Sequence, residues 1–142
     1  MKKNLFFSFF LIVLNFISAH GQEITEVQIA FANKFKVAVE SHDLNAVLKM
    51  TDKAYRKEQI KFLEGRKEQF INELFGGVDL MTDAYINTEF ANILKIEIAE
   101  VIPFENGDAK YIFRIRDGKH DILRSLLLTK TKKKHGFIGS MG

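Results

Sequence analysis

The spacing of apolar residues changes once along the chain, from a helical period to a strand period. Between residues 24 and 39, apolar side chains recur at steps of three and four, which predicts one helical face. Asp43 and Asp52 precede two further runs with helical spacing, and each aspartate is suited to cap the helix that follows it. The last helix is expected to break or kink at Gly65, because glycine costs about 1 kcal/mol in a helix interior, and to end at Gly76-Gly77.

From residue 93 onward apolar and polar residues alternate, which predicts the strands of an antiparallel sheet. The predicted strands cover residues 93–104, 109–116, 120–131 and 137–141, with a short edge strand near Ala84–Thr88. Asn106-Gly107 and Asp117-Gly118 separate the first three, and such dipeptides favour tight hairpins because their central residues need positive φ. Helices followed by an antiparallel sheet indicate an α+β fold, in which the N-terminal helices pack on one face of a curled sheet.

Two-residue turns at these glycines would fix the register of the three strands. They predict the opposing pairs Arg114 with Asp121, Tyr111 with Arg124, Glu97 with Arg116, and Glu100 with Phe113. Two of these pairs join opposite charges across neighbouring strands, which supports the assignment. The face predicted to turn toward the helices then contains Ile96, Ile98, Glu100, Ile102, Phe104, Tyr111, Phe113, Ile115, Ile122, Arg124, Leu126 and Leu128.

The N-terminal segment, residues 1–21, has the pattern of a secretory signal peptide. Two lysines give a positive start, an apolar run follows from Leu5 to Leu14, and small residues come next. Cleavage is expected after Gly21, with cleavage after Ala19 as the alternative. An uncleaved membrane anchor is a second alternative, although the apolar run is short for a membrane span.

The chain contains no cysteine, so neither a disulfide nor a lipid-bearing cysteine is expected after the signal. We therefore expect a periplasmic or secreted protein in which residues 22–142 form a single domain. Removal of the signal takes two lysines from the formal net charge of +3, which leaves the domain close to neutral. No cofactor is expected, and His42, His120 and His135 lack the spacing of metal ligands.

The order of elements resembles that of the nuclear transport factor 2-like superfamily. The stretch Phe31–Leu48 is similar to the opening of those domains, in which a helix, a few polar residues with an aspartate and a second helix follow one another. The stretch Leu126–Ile138, with its basic turn, is similar to their final strands. The resemblance implies a cone-shaped, cystatin-like α+β domain with a pocket at its open end. It also implies a range of roles, including ketosteroid isomerases, polyketide cyclases, dehydratases and binding modules.

Three polar side chains are predicted to converge inside the cone. Glu100 and Arg124 lie on the strands that flank the central strand, so their side chains are expected to meet over Tyr111. Tyr55, on the third helix, is expected to line the same cavity. Arg124 would bind the carboxylate or another anionic group of a ligand, and aromatic rings would contact the apolar part of that ligand. The alternatives are a structural ion pair at the rim and a register slip that turns Glu100 and Arg124 toward solvent.

These residues favour an exported, non-catalytic domain that binds a small amphipathic or anionic ligand, or a protein partner, at the open end of the cone. An enzyme of isomerase, cyclase or dehydratase type, with Glu100 as its base, is the first alternative. The first helix carries Phe31 and Phe35 and no tyrosine on that face, so the isomerase pattern is not matched residue by residue. The second alternative is a protein-interaction or dimerisation module whose cone is filled by its own side chains.

The outer face of the sheet is expected to be apolar as well, which favours a homodimer. The residues predicted to form this face are Ala99, Val101, Ile112, Leu123 and Leu127. Four lysines cluster at the last turn, where solvated lysines protect a sheet edge; they are Lys130, Lys132, Lys133 and Lys134. Export and the lack of interleaved exposed aromatic residues argue against nucleic acid as a partner, and no stable membrane anchor is expected after cleavage.

Overall fold

The structure is a computed structural model that describes residues 24–131 and 134–139. Helices come first and an antiparallel sheet follows, so the predicted α+β class is confirmed. The helices are α1 (Glu26–Glu40), α2 (Leu44–Lys49), α3 (Lys53–Phe62) and α4 (Lys67–Phe75), and a short 3-10 helix covers Phe90–Asn92. The predicted signal peptide with its cleavage site, and two lysines of the last turn, Lys132 and Lys133, lie outside the described residues.

Polar side chains cap the first three helices. Thr25 and Gln28 form a reciprocal capping box at the start of α1. The Asp43 and Asp52 carboxylates each accept a hydrogen bond from a backbone N–H three residues later, at 3.1 Å and 2.9 Å. Both predicted aspartate caps are therefore confirmed. Among the described helices, none has the length and apolar character that crossing a membrane requires.

The helix predicted to follow Asp52 is broken at Gly65, as expected. Glu64 and Gly65 both adopt positive φ, at +56° and +83°, which ends α3 at its C-terminus and lets α4 start afresh. Glycine takes this conformation without strain. The two halves then have different surroundings, because α3 has no fully buried residue whereas four residues of α4 lie in the core.

The strands form two separate sheets. The β1–β2 hairpin pairs β1 (Gly77–Val78) with β2 (Tyr85–Ile86), and the main sheet has the strand order β3-β4-β5-β6. The main strands are β3 (Lys95–Pro103), β4 (Ala109–Arg116), β5 (Asp121–Thr131) and β6 (Lys134–Gly139). The short strand predicted near residues 84–88 therefore exists, but it belongs to the small hairpin. The last strand begins three residues earlier than predicted.

The turn between β4 and β5 is centred one residue later than predicted. Asp117 pairs with His120, so Gly118 and Lys119 are the central residues of the turn. The Asp117 carboxylate accepts hydrogen bonds from the backbone N–H groups of Lys119 and His120, which holds this geometry. Gly118 has φ of +86°, which suits a glycine at the first central position of a type II′ turn.

The moved turn shifts the β4–β5 register by two residues. Tyr111 lies opposite Leu126, and Arg124 lies opposite Phe113, so the predicted pairing of Tyr111 with Arg124 is wrong. A shift of two keeps every side chain on its predicted face, because side chains alternate with a period of two. The predicted ion pair of Arg114 with Asp121 still forms, now on the diagonal, with Nη2 and Oδ2 2.6 Å apart.

The β3–β4 connection differs from the prediction in two ways. Phe104 pairs with Asp108, which makes a three-residue loop rather than a two-residue turn. A β-bulge at Ala99 then inserts one extra residue between Ile98 and Glu100. An odd insertion reverses the faces of the residues on one side of it, so the inward and outward positions of β3 change at the bulge.

Because of the three-residue loop and the bulge, several residues of β3 lie on a different face of the sheet from the predicted one. Glu100 lies opposite Ile112 on the outer face, and it is exposed, whereas it was expected to point inward. Val101 lies opposite Tyr111 on the inner face, whereas it was expected to point outward. Ile102 likewise moves to the outer face. The predicted pair of Glu97 with Arg116 is also wrong, since Glu97 lies opposite Arg114 and forms an ion pair with Lys95 at 3.0 Å.

The core lies between the inner face of the main sheet and the helices, and aromatic rings fill its centre. Phe137 is fully buried, with its ring centroid 4.4 Å from that of Phe35, 5.5 Å from that of Tyr111 and 5.7 Å from that of Phe113. Aromatic pairs at such distances contribute beyond the area they bury. This part of the predicted cone is therefore packed with the protein's own side chains.

The outer edge of β6 is covered by the loop that precedes α3. Phe137 N donates a hydrogen bond to Met50 O, and Asp52 N donates to Phe137 O, both at 2.9 Å. Gly136 makes this contact sterically feasible, because a Cβ there would lie 2.5 Å from the Asp52 Cα. Backbone groups of β6 that would otherwise form an open sheet edge are thus paired.

Candidate functional site

Arg124 is a buried arginine on the inner face of β5. Only 7% of the residue is exposed, and its Nε has no hydrogen-bond partner among the described residues. In residues 24–131 and 134–139, no carboxylate lies within 4 Å of the guanidinium nitrogens. Buried charges in proteins are normally paired, since an uncompensated one costs several kcal/mol. Arg124 is therefore the strongest candidate for a binding residue in the described part of the chain.

Gly77 packs against the guanidinium of Arg124. A Cβ at position 77 would lie 2.8 Å from Cζ and 2.9 Å from Nη2, so no other residue fits there without moving the arginine. Gly77 also has φ of +125°, a conformation that other residues adopt only with strain. The glycine at the start of β1 thus lets the β1–β2 hairpin approach Arg124 closely.

Tyr55, on α3, places its hydroxyl beside Gly139 of β6. The pKa of the Tyr55 hydroxyl is raised overall, mainly by burial and also by the charge of Glu73. The Gly139 backbone and the charge of Arg124 act in the opposite direction and are outweighed. Gly139 is again a close contact, because a Cβ there would lie 2.9 Å from the tyrosine oxygen. Gly139 lies opposite Leu126, and Arg124 is the next inward-facing residue of β5, so Tyr55 and Arg124 lie on the same side of the sheet.

Tyr85, on β2, pairs with Val78, the residue that follows Gly77 in the hairpin beside Arg124. Burial lowers the pKa of the guanidinium, and the hydroxyls of Tyr55 and Tyr85 both oppose that shift. An arginine stays protonated in proteins, so the lowered pKa expresses the cost of removing its charge from water. Tyr85 is 70% exposed, which leaves its ring open to contact from solution.

Asp79 fastens the β1–β2 hairpin to β5. Its buried carboxylate accepts hydrogen bonds from Leu123 N at 2.8 Å and from Thr82 Oγ1 at 2.7 Å, and Leu80 N donates to Leu123 O at 2.9 Å. Burial alone would raise the pKa of Asp79, but these hydrogen bonds and one from Met81 N outweigh burial and lower it. The hairpin that carries Gly77 and Tyr85 is held in place by this carboxylate.

Replacing Asp79 by alanine is expected to lower the free energy of unfolding by about 1–3 kcal/mol, because Leu123 N would lose its acceptor. The folded-state pKa lies below the ordinary value of 3.8, so the carboxylate contributes stability above about pH 4 and loses that contribution as the pH falls through the folded-state pKa. Urea unfolding at pH 7 and pH 3 measures both effects.

Two variants serve as controls for this prediction. Asp79→Asn keeps an acceptor without the charge, so its stability should change less between pH 7 and pH 3 than that of the wild type. Glu100→Ala removes an exposed carboxylate and should leave stability within about 0.5 kcal/mol of wild type. An Asp79→Ala variant as stable as wild type at pH 7 would show that the hairpin does not depend on this residue.

Tyr111 belongs to the core rather than to a site wall. It is 1% exposed, and its ring is 5.5 Å from that of Phe137 and 5.9 Å from that of Phe113. Its hydroxyl has no hydrogen-bond partner among the described residues, and burial raises its pKa. Although Tyr111 shares the inner face with Arg124, its side chain is enclosed by other rings.

Tyr111→Phe is expected to raise the free energy of unfolding by about 1 kcal/mol, because it removes a buried hydroxyl that has no partner. Chemical denaturation at pH 7 measures the change. Tyr85→Phe is the matched control, since its exposed hydroxyl should have almost no effect. Loss of stability in Tyr111→Phe would mean that the hydroxyl has a partner in solution.

Glu100 is not brought together with the other predicted site residues. The three-residue loop places it on the outer face, on the opposite side of the sheet from Arg124 and Tyr111. The predicted meeting of Glu100 with Arg124 is therefore wrong. The hypothesis of an enzyme with Glu100 as its base loses the geometry on which it depended, because that base would not face the enclosed side of the sheet.

A small surface cavity of about 70 Å³ lies at the other end of the sheet, near the start of α1. Several of its polar groups pair with one another, since Gln28 Nε2 donates to Gly107 O at 3.0 Å and Lys130 N donates to the Asp108 carboxylate at 3.0 Å. His135 also lines it, and burial, followed by the charge of Lys130, lowers the pKa of that histidine. The volume is far below the roughly 300–1,000 Å³ of small-molecule pockets.

The outer face of the main sheet keeps most of its predicted apolar residues. Ile112, Leu123 and Leu127 lie on it and are half-buried, whereas Val101 does not belong to it. Ile102 and Ile138 join this outer apolar face. The predicted homodimer through this face stays a prediction. In the described ranges, no group of three or more metal-binding side chains is arranged to hold an ion.

Comparison with known proteins gave no match to this chain. No family model matches it, and neither a curated protein nor a solved structure does.

Proposed function

We propose that this protein is an exported, non-catalytic domain of the nuclear transport factor 2-like type that binds the anionic group of a small ligand at Arg124. The observation that supports the proposal best is the guanidinium itself, which is buried on the inner face of the sheet without a carboxylate partner among the described residues. The order of helices and strands supports the family assignment. The charged and apolar pattern of residues 1–21 supports export.

The cost of burying Arg124 supports a binding role over a structural one. An unpaired buried charge destabilises the fold, and apolar residues of similar volume usually serve the core better. An arriving anion would compensate the charge, so part of the lost hydration energy would return on binding. The backbone of Gly77 packs closely against the guanidinium, which limits the space that the side chain can explore before a ligand binds.

Anion-dependent thermal stability tests this function. We expect acetate, benzoate or phosphate, compared at equal ionic strength, to raise the melting temperature in a saturable way. The increase should persist in Arg116→Met, which removes an exposed arginine of the outer face, and disappear in Arg124→Met. No saturable increase with any of these anions, or an equal increase in Arg124→Met, would contradict the proposal.

A second candidate function is interaction with a protein partner, by a domain whose interior is filled with its own side chains and holds no ligand. It is favoured by the aromatic packing around Phe137, which fills part of the interior with the protein's own side chains, and by the outer apolar face. Light scattering would then show a dimer, and Ile112→Lys would make it a monomer because a charge on that face opposes its burial. A monomer at high protein concentration would contradict this candidate.

A further inference from the structure

We infer that Asn106 is a modification site, at which the side-chain amide is hydrolysed without an enzyme through attack by the backbone nitrogen of Gly107, and that Gln28 positions the reacting groups. The reaction converts the asparagine into aspartate or isoaspartate. It is independent of anion binding at Arg124. It depends on the Asn106-Gly107 dipeptide, on the hydrogen bonds of its loop and on the contact of that loop with α1.

Asn106 and Gly107 lie in the three-residue loop between β3 and β4, where little shields the reacting atoms. Asn106 is exposed, so water reaches its amide. Gly107 has φ of +91°, and a Cβ at this position would meet no described atom within 4 Å. Glycine has no side chain to obstruct the approach of its nitrogen to the neighbouring amide carbon. The Gly107 N–H donates to Phe104 O at 3.2 Å, which is long for a backbone hydrogen bond, so release of this proton breaks a weak contact.

The side chain of Asn106 is folded back over the backbone of its own loop. The Asp108 N–H donates to Asn106 Oδ1 at 3.0 Å and closes a ring of atoms that contains both Asn106 Cγ and Gly107 N. The two atoms that must bond are thus held in one small ring and do not have to meet by free rotation. The same N–H donates to the oxygen on which negative charge develops during the attack, so it also stabilises the tetrahedral intermediate.

Gln28, in the first turn of α1, fixes the peptide group that makes this hydrogen bond. Its Nε2 donates to Gly107 O at 3.0 Å, and that oxygen belongs to the same peptide group as the Asp108 N–H. Gln28 is 6% exposed, and its Oε1 accepts from Thr25 N at 3.0 Å within the capping box. The peptide group is therefore held at both ends, by Gln28 on one side and by Asn106 on the other. Hydrogen bonding at its oxygen also strengthens its N–H as a donor.

The reaction proceeds in two steps and consumes only water. Hydroxide removes the Gly107 N–H proton and the nitrogen forms a bond to Asn106 Cγ, while the bond from Cγ to Nδ2 breaks as Nδ2 takes a proton from water and leaves as ammonia. The resulting succinimide ring adds water and opens on one side to aspartate or on the other side to isoaspartate. An amide and a water molecule thus give a carboxylate and an ammonium ion, so the chain gains one negative charge.

The other glycine-containing turn of the sheet, Asp117-Gly118, is protected by its charge. Lys119 N donates to Asp117 Oδ1 at 2.9 Å, so the same ring is closed there. An ionised carboxylate resists attack by a nucleophile, however, and must be protonated before it reacts. Burial alone would raise the pKa of Asp117, but hydrogen bonds from the ring and backbone of His120 and from Lys119 N outweigh burial and lower it. Asn106 is therefore expected to react while Asp117 persists.

Modification would weaken the contacts between the β3–β4 loop and its neighbours. Asn106 Nδ2 donates to Asp108 Oδ2 at 3.1 Å, and this attraction becomes a repulsion between two carboxylates once the amide is lost. Asp108 Oδ1 also accepts from Lys130 N at 3.0 Å, so the repulsion acts on a group that holds β5. An isoaspartate adds one atom to the backbone, which displaces Gly107 O from Gln28. The small surface cavity at the start of α1 would change with the age of the protein, because these residues line it.

Peptide mapping of the folded protein during storage at pH 8 tests the inference. Trypsin releases residues 96–110 and residues 37–49 as two peptides, in which Asn106 and Asn45 are the only asparagines. Asn45 is exposed and precedes alanine on α2, so it serves as an internal control. We expect peptide 96–110 to gain one dalton and to separate into aspartate and isoaspartate forms at least tenfold faster than peptide 37–49. An intact Asn106 in the folded protein, after a urea-unfolded sample has converted, would overturn the inference.

Two variants test the chemistry and the role of Gln28. Asn106→Gln places the amide carbon one atom further from the Gly107 nitrogen and should show no gain in mass. Gln28→Glu keeps the oxygen that accepts from Thr25 N but loses the donor to Gly107 O, so deamidation at Asn106 should slow at least threefold while Asn45 is unaffected. A residue with a merely structural role would leave the rate at Asn106 unchanged or raise it, and either result would overturn the positioning role of Gln28.

Asn106→Asp reproduces one product of the reaction and tests its effect on the loop. Its melting temperature should be lower than that of Asn106→Gln, because only the aspartate opposes the Asp108 carboxylate. Equal melting temperatures would show that the modification leaves the contacts of the loop intact, contrary to the expected weakening.

Discussion

Replacing Phe137 by alanine is expected to lower the free energy of unfolding by about 3–5 kcal/mol, which is a large part of the stability of a domain of this size. Phe137 is fully buried, and its ring is within 6 Å of those of Phe35, Tyr111 and Phe113, measured between centroids. Truncation removes its contacts with all three rings and leaves a cavity that the surrounding strands cannot close. Guanidinium chloride unfolding at pH 7 measures the loss.

Phe62→Ala is the matched control for Phe137→Ala. Phe62 ends α3 and is 81% exposed, so the same substitution there should change the free energy of unfolding by less than about 0.5 kcal/mol. If the two variants lost similar stability, the aromatic cluster around Phe137 would not be the centre of the core.

Replacing Arg124 by methionine is expected to raise the free energy of unfolding of the unliganded protein by about 1–4 kcal/mol, even though it abolishes anion binding. Methionine has a similar length and flexibility, and it removes a buried charge that has no partner among the described residues. Chemical unfolding in a buffer without carboxylates measures the gain. Stability and binding should therefore change in opposite directions at this position.

Two controls belong with the Arg124→Met experiment. Arg116→Met removes an exposed arginine and should leave the free energy of unfolding almost unchanged. Arg124→Lys retains a charge at the buried position and should show no gain, since the cost of desolvation remains. A loss of more than about 2 kcal/mol in Arg124→Met would reveal a partner for the guanidinium inside the protein and would also weaken the proposed function.

The helices could be predicted well from the sequence because their signals are local. The aspartates before α2 and α3 cap the turns that follow them, and Gly65 breaks the third predicted helix where its backbone needs positive φ. The strand β4 was predicted with its observed bounds, residues 109–116. Such features depend on a few neighbouring residues, which is why a single sequence is enough to identify them.

The register of the sheet was harder to predict, and its three errors had different consequences. The shift at Asp117 moved the β4–β5 pairing by two residues and therefore left Arg124 on the predicted face. The three-residue loop moved the end of β3 by one residue and placed Glu100 on the outer face, whereas the bulge at Ala99 returned Ile96 and Ile98 to the predicted inner face. The bulge contains no glycine, so no local feature of the sequence predicts it.

The contribution of the β1–β2 hairpin to the site was missed because residues 78–92 show no clear periodicity. The helix ends at Gly76-Gly77 as predicted, but the helical pattern gives no sign that Gly77 also lies against the guanidinium of Arg124. One signal for a turn is present in this segment, because Asp79 and Thr82 are both turn-forming residues and their side chains form a hydrogen bond. Recognising it would have suggested a turn there, but the docking of that turn onto Leu123 depends on a contact 44 residues away.

The inner face of the sheet around Arg124 draws on three other stretches of the chain, which contain Tyr55, Gly77 and Gly139. No short fragment of the protein brings them together, so under the proposed function a ligand would bind only once the entire domain has assembled. A bound ligand should accordingly slow unfolding rather than speed up folding, since its contacts form late. In an environment rich in proteases, occupancy would lengthen the lifetime of the folded chain, and the protein would persist longest where its ligand is plentiful.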